Sequence, residues 1–213
     1  MSAASTFSPE TSALDPGPDR DRRSAVPSLS ADRASRSGIW LGLFTITMSF
    51  AAFTSALFVR EGTSDWGHIV LPSVLYFNTM ILLCSSATME AARRSLVGGS
   101  VIVPQESRTG TVWLLSTLVL GLAFCGGQYM AWEQLRGQGL YLATNPNSSF
   151  FYVLTFVHVL HLLAGIGVLV YLTGRLVASH RTLRRSLLEN AAIYWHFLGV
   201  LWVYLFVLCR MKL

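Results

Sequence analysis

No Asp, Glu, Lys or Arg occurs between Arg108 and Glu133, between Arg136 and Arg175, or between Glu189 and Arg210. A helix or strand on a water-soluble protein keeps a polar face, so gaps this wide point to segments with no aqueous side. A hydrocarbon core about 30 Å thick takes roughly 20 apolar helical residues. Five stretches qualify: 38–59, 69–92, 111–132, 149–173 and 191–209. They cover more than half of the 213 residues and leave no room for a soluble catalytic domain. The predicted fold is all-α and integral to the membrane: a five-transmembrane-helix bundle over residues 38–213, behind a tail of residues 1–37.

The net charge of +5 could suggest a nucleic-acid partner, but its distribution argues otherwise. Five arginines lie in the tail, Arg93, Arg94 and Arg108 in the second loop, and Arg175, Arg181, Arg184 and Arg185 in the fourth. The alternate segments hold only Arg60, Arg136, Arg210 and Lys212. By the positive-inside rule the N-terminus and the second and fourth loops are cytoplasmic, and the C-terminus lies outside. Anionic headgroups are the expected partners of these cations, and no nucleic acid is.

The tail is rich in Ser, Ala, Pro, Asp and Arg, and its five basic residues balance five acidic ones. With so little to bury, it is expected to be disordered. It lacks the short apolar core and small-residue cleavage site of a secretory signal, so no cleaved leader is expected. Cys84, Cys125 and Cys209 all fall within spans, at no metal-like spacing.

All eleven acids sit in the tail, in loops or at span ends, among them Glu90 and Glu189. A proton path through this chain alone is therefore not expected, because such paths keep an ionisable group part-way across the bilayer. His158 and His161 are three apart and share one face of the fourth span, and His196 lies in the fifth. Counted from the cytoplasmic span ends, His161 is roughly 18 Å deep and His196 roughly 8 Å. That mismatch favours hydrogen bonding between helices over haem ligation. Thr45, Thr47, Thr54, Asn78, Thr79, Ser85, Ser86 and Gln128 read likewise as ties between helices. Ala52, Ala56, Gly121 and Gly165 are candidates for close helix approach. Trp40, Trp66, Trp132, Tyr141 and Trp195 fall near span ends, as interfacial aromatic residues do. Pro72 is expected in the first turn of the second span. The halves show no matching Gly- or Pro-broken helices, which disfavours a secondary transporter.

Three runs carry a resemblance. LPSVLYFNTMILLCSSATMEAARRSL holds Asn78, Thr79, Leu82, Ser85 and Ser86; NPNSSFFYVLTFVHVLHLLAG holds Phe151, Thr155, His158, His161 and Gly165; and ENAAIYWHFLGVLWVYLF holds Glu189, Tyr194, Trp195, His196, Phe197 and Trp202. In this order, with Gly121, Phe124 and Gln128 between the first two, they resemble the helices of cytochrome c oxidase subunit III. The resemblance covers residue 38 to the C-terminus.

It implies an accessory subunit of an aerobic haem-copper oxidase in a bacterial-type cytoplasmic membrane. Such a subunit carries no redox centre. It packs against subunit I, which bears haem and copper, with subunit II alongside. It binds phospholipid, supports proton uptake and slows turnover-linked inactivation. Arg175, fourteen residues after His161, resembles an arginine that contacts a lipid phosphate, which a guanidinium can do bidentately. His196, Trp195 and Glu189, near the same membrane face, are further candidates for a lipid or subunit contact, or for helix-to-helix hydrogen bonds. Asn78, Thr79, Gln128, His158 and His161 are candidates for helix or subunit contacts.

Three departures qualify the match. The larger family form has seven helices, and the first two have no counterpart here. Ile46 stands where the family has an intramembrane glutamate, and Gly199 where it often has an aspartate. Alternative readings are subunit III of a quinol oxidase, a companion of a nitric oxide reductase, or a free-standing haem-b carrier using His158, His161 and His196.

Overall fold

The computed structural model describes residues 19–61, 72–96, 101–102, 108–139, 146–178 and 183–212, with side chains from residue 36 onward except at some segment ends. The chain divides into two compact units, Met1–Gly38 and Ile39–Leu213. Among the described residues there are five α-helices: α1 (Asp19–Glu61), α2 (Val74–Leu96), α3 (Arg108–Gly137), α4 (Pro146–Ala178) and α5 (Arg185–Lys212). Two two-residue strands, β1 (Val101–Ile102) and β2 (Leu183–Arg184), pair antiparallel, with Val101 opposite Arg184 and Ile102 opposite Leu183. This pairing joins the α2–α3 and α4–α5 connections, so both lie at one end of the bundle.

Among the described residues, four helical stretches are long and apolar enough to cross a membrane: Arg36–Arg60, Arg108–Gly137, Ser148–Val177 and Arg185–Lys212. α2 has 23 residues and carries Glu90, Arg93 and Arg94 in its last two turns, which lowers its hydropathy. The expected second span begins at residue 69, and its first three residues lie outside the described ones. Residues 1–18 of the expected tail do too, while α1 continues helical back to Asp19.

Local chemistry sets the helix ends. Pro146 opens α4, where its missing N–H would have no intrahelical acceptor anyway. Pro72 stands two residues ahead of α2 rather than in its first turn, and its carbonyl accepts the Leu75 N–H at 3.1 Å. α3 ends in a C-terminal cap at Gly139, whose φ is 79° and whose N–H donates to the Arg136 carbonyl at 2.9 Å.

α2 buries a single stripe, Leu75, Asn78, Leu82, Ser85, Met89, Ala92 and Leu96, at alternating steps of three and four. α3 does the same through Gly110, Leu114, Thr117, Gly121, Phe124, Gln128, Ala131 and Leu135. This is the spacing of helices that interdigitate along one seam. α2 packs on α3 and α5, and α4 on α3 and α5. α5 is the central helix, with half of its apolar stretch buried, against 22% for the stretch in α1. Span hydroxyls are satisfied largely within their own helices: Thr45, Thr47, Thr54, Thr79 and Thr155 each donate to the carbonyl four residues back, at 2.7–2.9 Å. Thr45 and Thr47 thereby act as local anchors rather than as the expected ties between helices.

Candidate functional site

Two features stand out: an interhelical core built around the indoles of α5, and a charged cluster at the bundle end that carries β1 and β2. Trp195 and Trp202 are seven residues apart, so they lie on one face of α5. The Trp195 indole N–H donates to Ser85 Oγ at 3.1 Å, and that of Trp202 to Thr79 Oγ1 at 3.1 Å. Both acceptors are on α2, in reversed order, so α2 and α5 run antiparallel.

Trp195 is 1% exposed and touches all three helices that pack on α5 or on one another around it. A Cβ added at Gly121 of α3 would come within 2.8 Å of its Cη2, and one at Gly165 of α4 within 3.3 Å of its Cε3. The two glycines therefore make the slot that the indole fills. Trp195 is thus a core residue, not a member of an interfacial belt, and of the two roles weighed for it the geometry is that of a helix-to-helix tie. Trp40 is 63% exposed, as an interfacial residue would be, while Trp66 and Tyr141 lie outside the described residues.

The other polar candidates make similar ties. Asn78 Nδ2 donates to the Phe124 carbonyl at 3.1 Å, joining α2 to α3, and Thr88 pairs with Thr117 at 2.9 Å further along the same seam. Trp132 Nε1 donates to Thr155 Oγ1 at 3.2 Å, joining α3 to α4. The Tyr194 hydroxyl donates to the His161 carbonyl at 3.0 Å, and the Tyr204 hydroxyl to Thr54 Oγ1 at 3.0 Å, which brings α1 onto α5. Gln128 is buried on the α3 stripe.

Close approach depends on Gly121, Gly165 and Gly127, the last of which lies directly under the Asn78 amide. Ala52 and Ala56, expected to serve the same purpose, are exposed on α1. Gly127 had no distinguishing signal, since the adjacent Gly126 has open space where a Cβ would go. The departures from the family pattern fit the packing: Ile46 belongs to the apolar core, and a Cβ at Gly199 would stand 3.0 Å from Ser86 Oγ.

The three histidines do not form one site. The His158 ring is fully buried between Phe124, 6.0 Å away centroid to centroid, and Trp202, 5.1 Å away. His161 faces Phe50 of α1 at 6.0 Å, with its Nδ1 2.7 Å from the Val157 carbonyl. His196 Nε2 lies 3.8 Å from Glu90. The register set by Gly165 on Trp195 and His158 on Trp202 separates His161 and His196 by about three residues, or about 5 Å of depth. They are closer in depth than a count from the span ends implies. What parts them is direction, since each ring points to a different neighbour.

At the charged end, Arg93 clamps Glu90 bidentately at 2.7 and 2.6 Å, and Arg94 Nε reaches the same carboxylate at 2.8 Å. Arg185 Nε donates to Glu189 at 2.6 Å. Arg175, near the end of α4, donates to the Tyr171 hydroxyl at 3.1 Å and lies over that ring. Glu189, His196 and Arg175 are each half-buried near this end. Among the described residues no three His, Cys, Asp or Glu side chains are grouped as a metal site would need. No Asp, Glu, Lys or Arg is buried among them either.

A family model described as cytochrome c oxidase subunit III matches residues 37–211. The chain is 32% identical over 176 residues to the cytochrome c oxidase subunit 3 of Synechocystis sp., covering 82% of this chain and 70% of that protein. It is 30% identical over 175 residues to the cytochrome c oxidase subunit 3 of Alkalihalophilus pseudofirmus, covering 79% and 82%. To the quinol oxidase subunit 3 of Bacillus subtilis it is 28% identical over 179 residues, again covering 79% and 82%.

Proposed function

The chain belongs to the cytochrome c oxidase subunit III family, and from that premise we propose that it is the accessory subunit of an oxidase that passes electrons from cytochrome c to oxygen. The observation that carries this reading is how its interior is used. Asn78, Thr79, Ser85, Thr155, Tyr194, Trp195 and Trp202 of the resemblance are engaged in holding helices together, and the histidines point apart. A subunit of this kind serves its complex by shape and packing, and haem and copper reside in subunit I and subunit II. The quinol reading rests on the Bacillus subtilis relative, and the donor-binding subunit decides between them.

In this proposal α2 is the fifth membrane crossing. Its support is the alternation of directions: α2 runs antiparallel to α3 and α5, as a crossing helix between two others must. The end where β1 pairs with β2 is also the end of Arg93, Arg94, Arg175 and Arg185, which assigns it to the cytoplasm by the positive-inside rule. The tail of residues 1–37 then starts on the cytoplasmic side of a bacterial-type cytoplasmic membrane. Single cysteines placed at Ser95 and at Gly137, in a background lacking Cys84, Cys125 and Cys209, test the orientation. A membrane-impermeant thiol reagent added outside intact cells is expected to label position 137 and spare position 95. Labelling of both, or of 95 alone, would reverse or remove the assignment.

Phospholipid is the proposed ligand of the cytoplasmic end. Arg175 holds a guanidinium at headgroup level on an apolar stem, and His196 and Glu189 flank the same end. Arg175→Ala is expected to cut phospholipid retained through detergent purification by about one molecule per chain. Unchanged retention would leave Arg175 as a plain positive-inside arginine.

The functional reading itself is tested by purifying the protein from its native membrane in mild detergent, identifying the chains that accompany it and recording reduced-minus-oxidised spectra. Haem signals are expected only with a large partner chain, and a deletion strain is expected to reduce oxygen but lose activity faster during turnover. A haem spectrum on this chain alone, or undiminished durability without it, would overturn the proposal.

A further inference from the structure

One layer of the bundle carries polar groups that the interhelical ties do not use. Asn78 on α2, Gln128 on α3 and His158 on α4 are each no more than 1% exposed. Asn78 Oδ1, both side-chain amide atoms of Gln128 and both ring nitrogens of His158 find no hydrogen-bond partner among the described residues.

The three side chains lie within about one helical turn of one another. Phe124 is common to them: its carbonyl accepts from Asn78, its ring meets His158 at 6.0 Å, and Gln128 follows it one turn later on the same face of α3. Trp202 of α5 closes the layer, 4.9 Å from Phe124 and 5.1 Å from His158 centroid to centroid, with its own N–H engaged by Thr79. One turn nearer the α3–α4 connection, the Trp132–Thr155 bond places Gln128 between that contact and the Phe124–His158 contact.

We propose that this layer, formed by Asn78, Gln128 and His158, is a binding site for internal water that bridges the three side chains. The set of unused groups selects the ligand. Asn78 Oδ1, Gln128 Oε1 and the unprotonated nitrogen of a neutral His158 are acceptors, while Gln128 Nε2 and the other ring nitrogen are donors. Water offers two donors and two acceptors and so serves both kinds. A cation would serve only the acceptors and an anion only the donors, and either would enter a region with no buried countercharge. A larger ligand has no access, since all three side chains are closed off from the surface. Buried polar groups in a bilayer have no lipid partner to fall back on, and bridging water is their usual resolution.

Solid-state NMR on the full-length chain in lipid bilayers, with 15N-labelled His and Gln, tests this. The His158 ring N–H and the Gln128 side-chain amide are expected to receive magnetisation from water several-fold faster than from lipid acyl protons. The signal absent in His158→Phe identifies the ring. Transfer only from lipid or protein protons would overturn the proposal. Thermal unfolding gives a second, independent reading with opposite signs. In a bridged layer, His158→Phe and Gln128→Leu each strand the remaining groups, so each lowers the midpoint by about 3 °C, and the double variant loses less than the sum. In a dry layer each substitution removes an unpaired group, so the midpoint rises or holds and the effects add, which would also overturn the proposal.

Discussion

Replacing Trp195 with alanine is expected to destabilise the bundle more than any other single substitution of an indole. The side chain fills the slot between Gly121 and Gly165 and donates to Ser85, so its loss opens a void shared by four helices. Emptying a large aromatic site costs about 3–5 kcal/mol in protein cores. In a bilayer the lipid removes the hydrophobic driving force between helices, but the lost dispersion contacts remain lost. At the scaling of a domain this size, about 3 kcal/mol lowers the thermal midpoint by roughly 6–12 °C.

Trp195→Phe separates the two contributions. It keeps most of the packed volume and gives up the N–H, and an interhelical hydrogen bond in a membrane averages about 0.6 kcal/mol. The phenylalanine variant should therefore retain most of the stability that the alanine variant loses. Equal losses in both would mean that the hydrogen bond, and not the packing, dominates at this position.

Gly127→Ala is the second large effect, and Gly126→Ala is its control. A Cβ at Gly127 would overlap the Asn78 side-chain oxygen, whose amide is tied to the Phe124 carbonyl and cannot swing aside without giving up that bond. Overpacking of this kind costs about 1–3 kcal/mol, and the α2–α3 seam must widen to take it. A Cβ at Gly126 meets nothing within 4 Å, so the same substitution one residue away gains only the higher helix propensity of alanine. Thermal unfolding of the two variants side by side should give a clear loss for Gly127→Ala and no loss for Gly126→Ala. Loss of comparable size at Gly126 would show that the glycine pair acts through backbone flexibility and not through contact with Asn78.

The bundle itself was legible because lipid imposes a simple rule. A segment without charge for about 20 residues has one viable structure, a helix that satisfies its own backbone. The stripe Leu75, Asn78, Leu82, Ser85 and Met89 was legible for a related reason: its spacing puts these residues on one face whatever lies opposite. Depth was less so. His161 and His196 were placed by counting from span ends as if residues 173 and 191 stood level, but the register of Gly165 on Trp195 and His158 on Trp202 sets those two ends about four residues apart, so the count misjudged the offset. The aromatic residues misled in a similar way. Trp195 has the sequence position of an interfacial ring and the surroundings of a core residue, because α5 is enclosed by its neighbours where α1 is not.

The all-helical class, the long apolar stretches of α1, α3, α4 and α5, and the family to which the three runs belong were readable from the sequence. Each of these follows from residue type and spacing along one strand of covalent chain. The packing of the helices set which glycines admit a neighbour, which indole reaches which hydroxyl, and that Asn78 and His158 both close on Phe124. Those facts depend on the register between helices, and register is set by the fit of all the facing side chains together, a quantity no single helix contains.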